Sequence, residues 1–100
     1  METSLMQMHL MIFGRVQNVG FRSFCRKKAS ELSLSGWVRN RRSGQVEVLV
    51  EGTPSSLAAF FTACQTGPLW ANVTRVEEVS YAGADIPAVR QGYFETLNTV

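Results

Sequence analysis

The sequence predicts an α+β fold: an antiparallel sheet with two helices on one face, in the order β-α-β-β-α-β, followed by a short extra strand. Three observations lead there. Runs with apolar residues at alternate positions mark strands. Two other segments carry apolar residues three and four apart, the spacing of one helical face. Right-handed β-α-β crossovers then put both helices on the same side of the sheet.

Residues 7–13, QMHLMIF, carry no breaker and form the first strand, which Gly14 ends. Phe21, Phe24, Cys25, Ala29 and Leu32 line one face of a helix, with Arg26, Lys27 and Glu31 on the other. Gly36 lies just beyond its end. A second strand covers 36–42, GWVRNRR, and RSGQ at 42–45 is a turn. In the third strand, 45–52, Val46, Val48 and Val50 point one way and Glu47, Leu49 and Glu51 the other. Strands two and three thus form a hairpin. Thr53 is the N-cap and Pro54 the first residue of a second helix, whose inner stripe is Leu57, Phe60, Phe61 and Cys64. Gly67-Pro68 stops it. A fourth strand is expected over 72–82 up to Tyr81, a polar loop over 83–92, and a closing strand over 93–97. This is the ferredoxin-like sandwich, an order that hosts many functions and by itself specifies none.

Composition sets the outer limits. One domain over residues 1–100 is expected, and the 45% apolar and 18% charged fractions exclude a disordered chain. A net charge of +2 is too small to argue for nucleic acid, although Arg22, Arg26, Lys27, Lys28, Arg39, Arg41 and Arg42 cluster in one third of the chain. No stretch is long enough to span a bilayer, so no membrane partner is expected. The first residues lack a basic segment and a cleavage site, so the expected location is cytoplasmic, and the expected state a monomer. Cys25, Cys64 and His9 are too few to hold a metal, and neither metal nor cofactor is expected. The two cysteines read as buried small hydrophobes, with a bridge between the helices sterically open.

Residues 14–22, GRVQNVGFR, are a polar bend between strand and helix that closes on an arginine. Gly14, Asn18 and Gly20 tolerate backbone angles that other residues avoid. Such a loop turns successive amides inward, and the positive end of the following helix adds to their field. Arg22, in the first helical turn, can reach back over that concavity and hold a phosphate by two parallel bonds. The bend therefore reads as a phosphate cradle, with a tight turn as the plain alternative.

Three strings add a resemblance. GRVQNVGFR resembles the acylphosphatase signature Gly-x-Val-Gln-Gly-Val-x-Phe-Arg, with Asn18 in place of the middle glycine. GWVRNRRSGQVEV resembles that family's second signature, Gly-x-Val-x-Asn followed by a turn, a glycine and Val-Glu. GPLWANVTRV resembles its Gly-Pro-x-x-Ala-x-Val-x-x-Val segment. Together they span nearly the whole chain.

The resemblance implies hydrolysis of a small-molecule acyl phosphate to carboxylate and inorganic phosphate. It implies a phosphate-binding loop of Arg15, Val16, Gln17, Asn18, Val19, Gly20, Phe21 and Arg22, with Arg22 on the phosphate and Asn40 orienting the attacking water. Both roles suit the chemistry, since phosphoryl transfer asks mainly for positioning and charge stabilisation. A carboxamide both donates and accepts, so Asn40 can hold a water in line with phosphorus. A carboxylate leaves without a general acid, and no base is expected; His9 reads as a structural or surface residue. Phe13 and Val16 are expected to shape the cradle. Arg39, Arg41 and Arg42 read as strand-edge charge, and Glu47 and Glu51 as surface charges. Trp37, Trp70, Tyr93 and Phe94 read as packing or surface aromatics. Two other functions remain open at this point. One is an anion-binding regulatory module of the same fold with little turnover. The other is a single-stranded RNA binder, for which the central strands offer Phe13 alone as a stacking residue.

Overall fold

The computed structural model describes residues 4–80 and 86–100. They form β1 (Met6–Arg15), α1 (Phe21–Glu31), β2 (Ser35–Asn40), β3 (Val46–Gly52), α2 (Pro54–Thr66), β4 (Asn72–Glu78) and β5 (Phe94–Thr96). The sheet runs β4-β1-β3-β2-β5. Residues 81–82 of the expected fourth strand, and 83–85 of the loop after it, lie outside the described residues.

The first four strands pair antiparallel, as expected, but β5 pairs with β2 in parallel, Gly36 opposite Phe94. The sheet is therefore mixed rather than wholly antiparallel. The cause is where the last crossover starts. β4 runs toward the end of the sheet where β1 begins, its last residue Glu78 opposite Leu10. The chain reaches the far edge at that same end of the sheet, so the strand laid there runs alongside β2.

Both helices pack on one face. Leu10, Ile12, Val38, Val46, Val48 and Val50 point to it and are completely buried, together with Cys25, Ala29, Phe60 and Cys64 from the helices. Each such large apolar side chain contributes about 1.5–3 kcal/mol on leaving water. Phe61 is only half-buried and packs on the rim of this core. Helix α2 starts as the sequence suggests: the Thr53 hydroxyl accepts from the Ser56 amide at 3.4 Å, with Pro54 in the first turn. Cys25 and Cys64 are free thiols facing each other. Burial pushes the Cys25 thiol well above its ordinary pKa, and the adjoining Cys64 thiol pushes the same way.

The opposite face corrects two expectations, for Glu47 and Arg39. Glu47 is not a surface charge; it is 1% exposed. Its Oε2 accepts from His9 Nε2 at 2.7 Å, and its Oε1 from Arg39 Nε at 2.8 Å and Arg41 Nη1 at 3.2 Å. Arg39 is likewise buried rather than solvated edge charge, and His9 is buried as a structural residue. Burial alone would raise the Glu47 carboxyl, but hydrogen bonds from Arg39 and His9, with their charges, outweigh it and hold its pKa below the ordinary value. Period-two alternation assigns Glu47 to the outer side of β3 but cannot show what covers that side. The chain from residue 86 onward does so, and Trp37 Nε1 donates to the Pro87 carbonyl at 2.9 Å across it.

Candidate active site

β1 and β2 both run antiparallel to β3, and β4 runs antiparallel to β1. The ends of β1 and β2 and the start of β4 therefore meet at one end of the sheet. There β1 breaks register between Phe13 and Gly14. Gly14 has φ +120°, and a Cβ on it would stand 2.2 Å from the Asn72 carbonyl oxygen, so only glycine fits. The chain then turns away from β4 into the loop 16–20.

Two buried side chains, Val16 and Phe21, anchor the ends of that loop in the core. Between them Asn18 (φ 62°) and Gly20 (φ 82°) are left-handed. Left-handed residues interleaved with ordinary ones turn neighbouring amides toward a common concavity. Helix α1 begins on Gly20 with no side-chain cap and no acidic residue in its first turn. Its first intrahelical bond runs from the Phe24 amide to the Gly20 carbonyl at 3.0 Å. The amides of Phe21, Arg22 and Ser23 precede that bond, at the positive end of the helix.

These residues enclose a cavity of about 100 Å³ lined by Val16, Asn18, Gly20, Phe21, Arg22, Ser23 and Asn40. Asn40 is the last residue of β2, 8% exposed, and its carbonyl accepts from the Val100 amide at 3.2 Å. Arg22 is half-buried and makes no ion pair among the described residues. Arg39 and Arg41, by contrast, are committed to Glu47. The positive charge at the cavity is thus that of Arg22. Larger clefts of about 500 and 420 Å³ lie on the opposite sheet face beside His9, but neither is lined by residues of the 16–20 loop.

The expected site residues therefore divide. Val16, Asn18, Gly20, Phe21, Arg22 and Asn40 come together around the cavity. Arg15, Gln17 and Val19 do not line it. Arg15 is exposed and closes β1 opposite Asn72, while Val19 packs on the core. The Gln17 amide turns to the β2–β3 turn, donating to the carbonyls of Arg41 at 2.7 Å and Gln45 at 2.9 Å. Ser23 lines the cavity unannounced; a hydroxyl residue in the first turn of an uncapped helix was the available signal. An uncapped helix N-terminus, a guanidinium in no ion pair among the described residues and a carboxamide around one cavity suit a tetrahedral oxyanion with a bound water beside it.

The family model for acylphosphatase matches residues 8–92. The chain belongs to the acylphosphatase family. An acylphosphatase of Azorhizobium caulinodans is 45% identical over 86 residues, covering 86% of this chain and 89% of that protein. One from Nitrobacter winogradskyi is 41% identical over 92 residues, 91% of this chain and 93% of the other. Among solved structures, the acylphosphatase from Bacillus subtilis superposes with a TM-score of 0.79 at 34% identity, covering 94% of this chain and 99% of that one. The acylphosphatase from Coxiella burnetii gives 0.76 at 33% identity, with 93% of each chain covered. The sandwich is thus the ferredoxin-like α+β fold of acylphosphatases, and the enzyme is a hydrolase of acyl phosphates.

Proposed function

We propose that this acylphosphatase binds the phosphate of a carboxyl–phosphate mixed anhydride on the amides of Asn18, Gly20, Phe21, Arg22 and Ser23 and the Arg22 guanidinium, while Asn40 holds the attacking water. One observation carries the reading: Arg22 from α1 and Asn40 from β2 line the same small cavity at an uncapped helix N-terminus. Water oxygen attacks phosphorus, the bond from phosphorus to the acyl oxygen breaks, and the carboxylate leaves with that electron pair. The water's proton passes to phosphate or carboxylate oxygen, so no protein base is needed. Amides and guanidinium stabilise the charge on the equatorial oxygens, the part of phosphoryl transfer a protein supplies best. Asn18 supports the reading, because asparagine is the non-glycine residue that takes φ 62° at least cost.

Residues 1–100 are read as a single acylphosphatase domain, which the match over 8–92 supports. The enzyme is further proposed to act as a cytoplasmic monomer on a free small molecule, without nucleic acid or membrane. No helix among the described residues is long and apolar enough to cross a membrane. Sedimentation tests the monomer.

Phosphate release from benzoyl phosphate, with inorganic phosphate as competitor, tests the chemistry. Arg22→Ala should lose turnover and phosphate inhibition together, whereas Asn40→Ala should lose most of the rate and keep the inhibition. Normal hydrolysis by Asn40→Ala would remove the water-holding role. Phosphate binding without turnover in the wild type would instead favour the anion-binding module.

A further inference from the structure

Leu69 and Trp70, 87% and 69% exposed, are the most exposed large apolar side chains among the described residues. They are neighbours at the tip of a turn that the Ala71 amide closes on the Pro68 carbonyl at 3.0 Å. Scattered apolar side chains on a surface need no explanation, but an adjacent pair on a hydrogen-bonded turn is a different matter. Its place in the fold is specific. The turn joins α2 to β4 at the end of the sheet that carries the cavity, and Asn72, two residues on, pairs with Arg15 at the mouth of the loop. Gly67 lies so close to Phe21 of the cavity wall that a Cβ on it would stand 2.5 Å from the ring.

In-line displacement fixes what must come near that turn. Nucleophile and leaving group sit on opposite sides of phosphorus. Asn40 stands on β2, two strands from β1 on the β3 side, whereas Leu69 and Trp70 stand beside β4, on the other side of β1. Water held by Asn40 approaches from the β2 side, so the carboxyl group departs toward the β4 side. We propose that Leu69 and Trp70 form the subsite for the acyl group, and that the enzyme favours acyl phosphates with an aryl or other bulky apolar substituent over small ones. This rests on the phosphate and water assignments above. A flat indole offers such a substituent a face at little ordering cost, and Leu69 beside it widens the platform.

The test compares benzoyl phosphate with acetyl phosphate on the full chain. For the Leu69→Ser/Trp70→Ser enzyme, KM for benzoyl phosphate should rise about fivefold to tenfold, the scale of losing partial aromatic burial. Its kcat/KM for acetyl phosphate and its inhibition by inorganic phosphate should stay at wild-type values. Trp70→Phe, which keeps an aromatic face, should retain most of the preference for benzoyl phosphate. An equal fall with both substrates, no change with either, or a loss in Trp70→Phe as large as in the double variant would overturn the subsite. A wild-type enzyme that hydrolyses both at rates indifferent to Arg22→Ala would instead overturn the phosphate assignment and the subsite with it.

Discussion

The side-chain amide of Gln17 donates to the backbone carbonyl of Arg41 at 2.7 Å, across 24 residues of sequence. It thereby ties the 16–20 loop to the residue after Asn40. A second bond from the same nitrogen to the Gln45 carbonyl, at 2.9 Å, holds the other side of the β2–β3 turn. The two halves of the site, one on each side of β3, are thus set at a fixed spacing by one carboxamide.

Gln17→Ala should therefore lower kcat by about tenfold through misplacement of Asn40, while inhibition by inorganic phosphate changes little. Loss of two hydrogen bonds should also cost about 1–2 kcal/mol of stability. Steady-state kinetics with benzoyl phosphate and a urea titration check the two parts. Wild-type kcat in a destabilised variant would reduce Gln17 to a purely structural tie.

Asn18 sits at φ 62°, a region that costs a non-glycine residue roughly 1–2 kcal/mol. Asn18→Gly removes that cost but loosens the unfolded chain, so stability should stay within about 0.5 kcal/mol. Its side chain is exposed, so activity should be equal or higher. Asn18→Val should cost about 1–3 kcal/mol, because a β-branched residue tolerates this conformation poorly. Thermal melts and benzoyl phosphate hydrolysis on the two variants decide it; a large loss in Asn18→Gly would give the asparagine side chain a role of its own.

Much of this was legible in local pattern. Val46, Val48 and Val50 mark their strand face unaided, and Thr53-Pro54 marks a helix start. The glycines and asparagine of 14–20 announce a loop with unusual angles. What stayed hidden depends on distant chain. Glu47 alternates as an outward residue should, yet it is buried because residues after 86 cross that face. The direction of β5 depends on where a crossover begins, and the outward turn of Gln17 on carbonyls more than twenty residues away. Periodicity carries no information about such partners.

Acid should expose the Glu47 network. Its carboxyl has a pKa lowered from an ordinary 4.5. A lowered folded value means stability that is fully present above the ordinary pKa and is lost as pH falls through the folded one. Stability should thus decline from about pH 4.5 downward. Glu47→Gln leaves Arg39 without its buried countercharge and should cost about 3 kcal/mol near neutrality. The gap between the two proteins should narrow in acid, as read by urea titrations at a series of pH values. A constant gap down to pH 3 would contradict the electrostatic account.

Cys25 and Cys64 are both 0% exposed, and the Cys25 thiol is held strongly protonated. Neither should react with an aromatic disulfide reagent at neutral pH in the native protein. Both should react once the chain is unfolded in guanidinium chloride. Rapid labelling of the native protein would show that the interface between the helices opens readily.

The most direct test of the phosphate cradle is a titration with inorganic phosphate followed by amide proton–nitrogen spectra. The amides of Gly20, Phe21, Arg22 and Ser23 should shift together and saturate at one affinity, and the response should vanish in Arg22→Ala. Shifts centred on His9, Arg39 and Glu47 instead, or an undiminished response in Arg22→Ala, would contradict it.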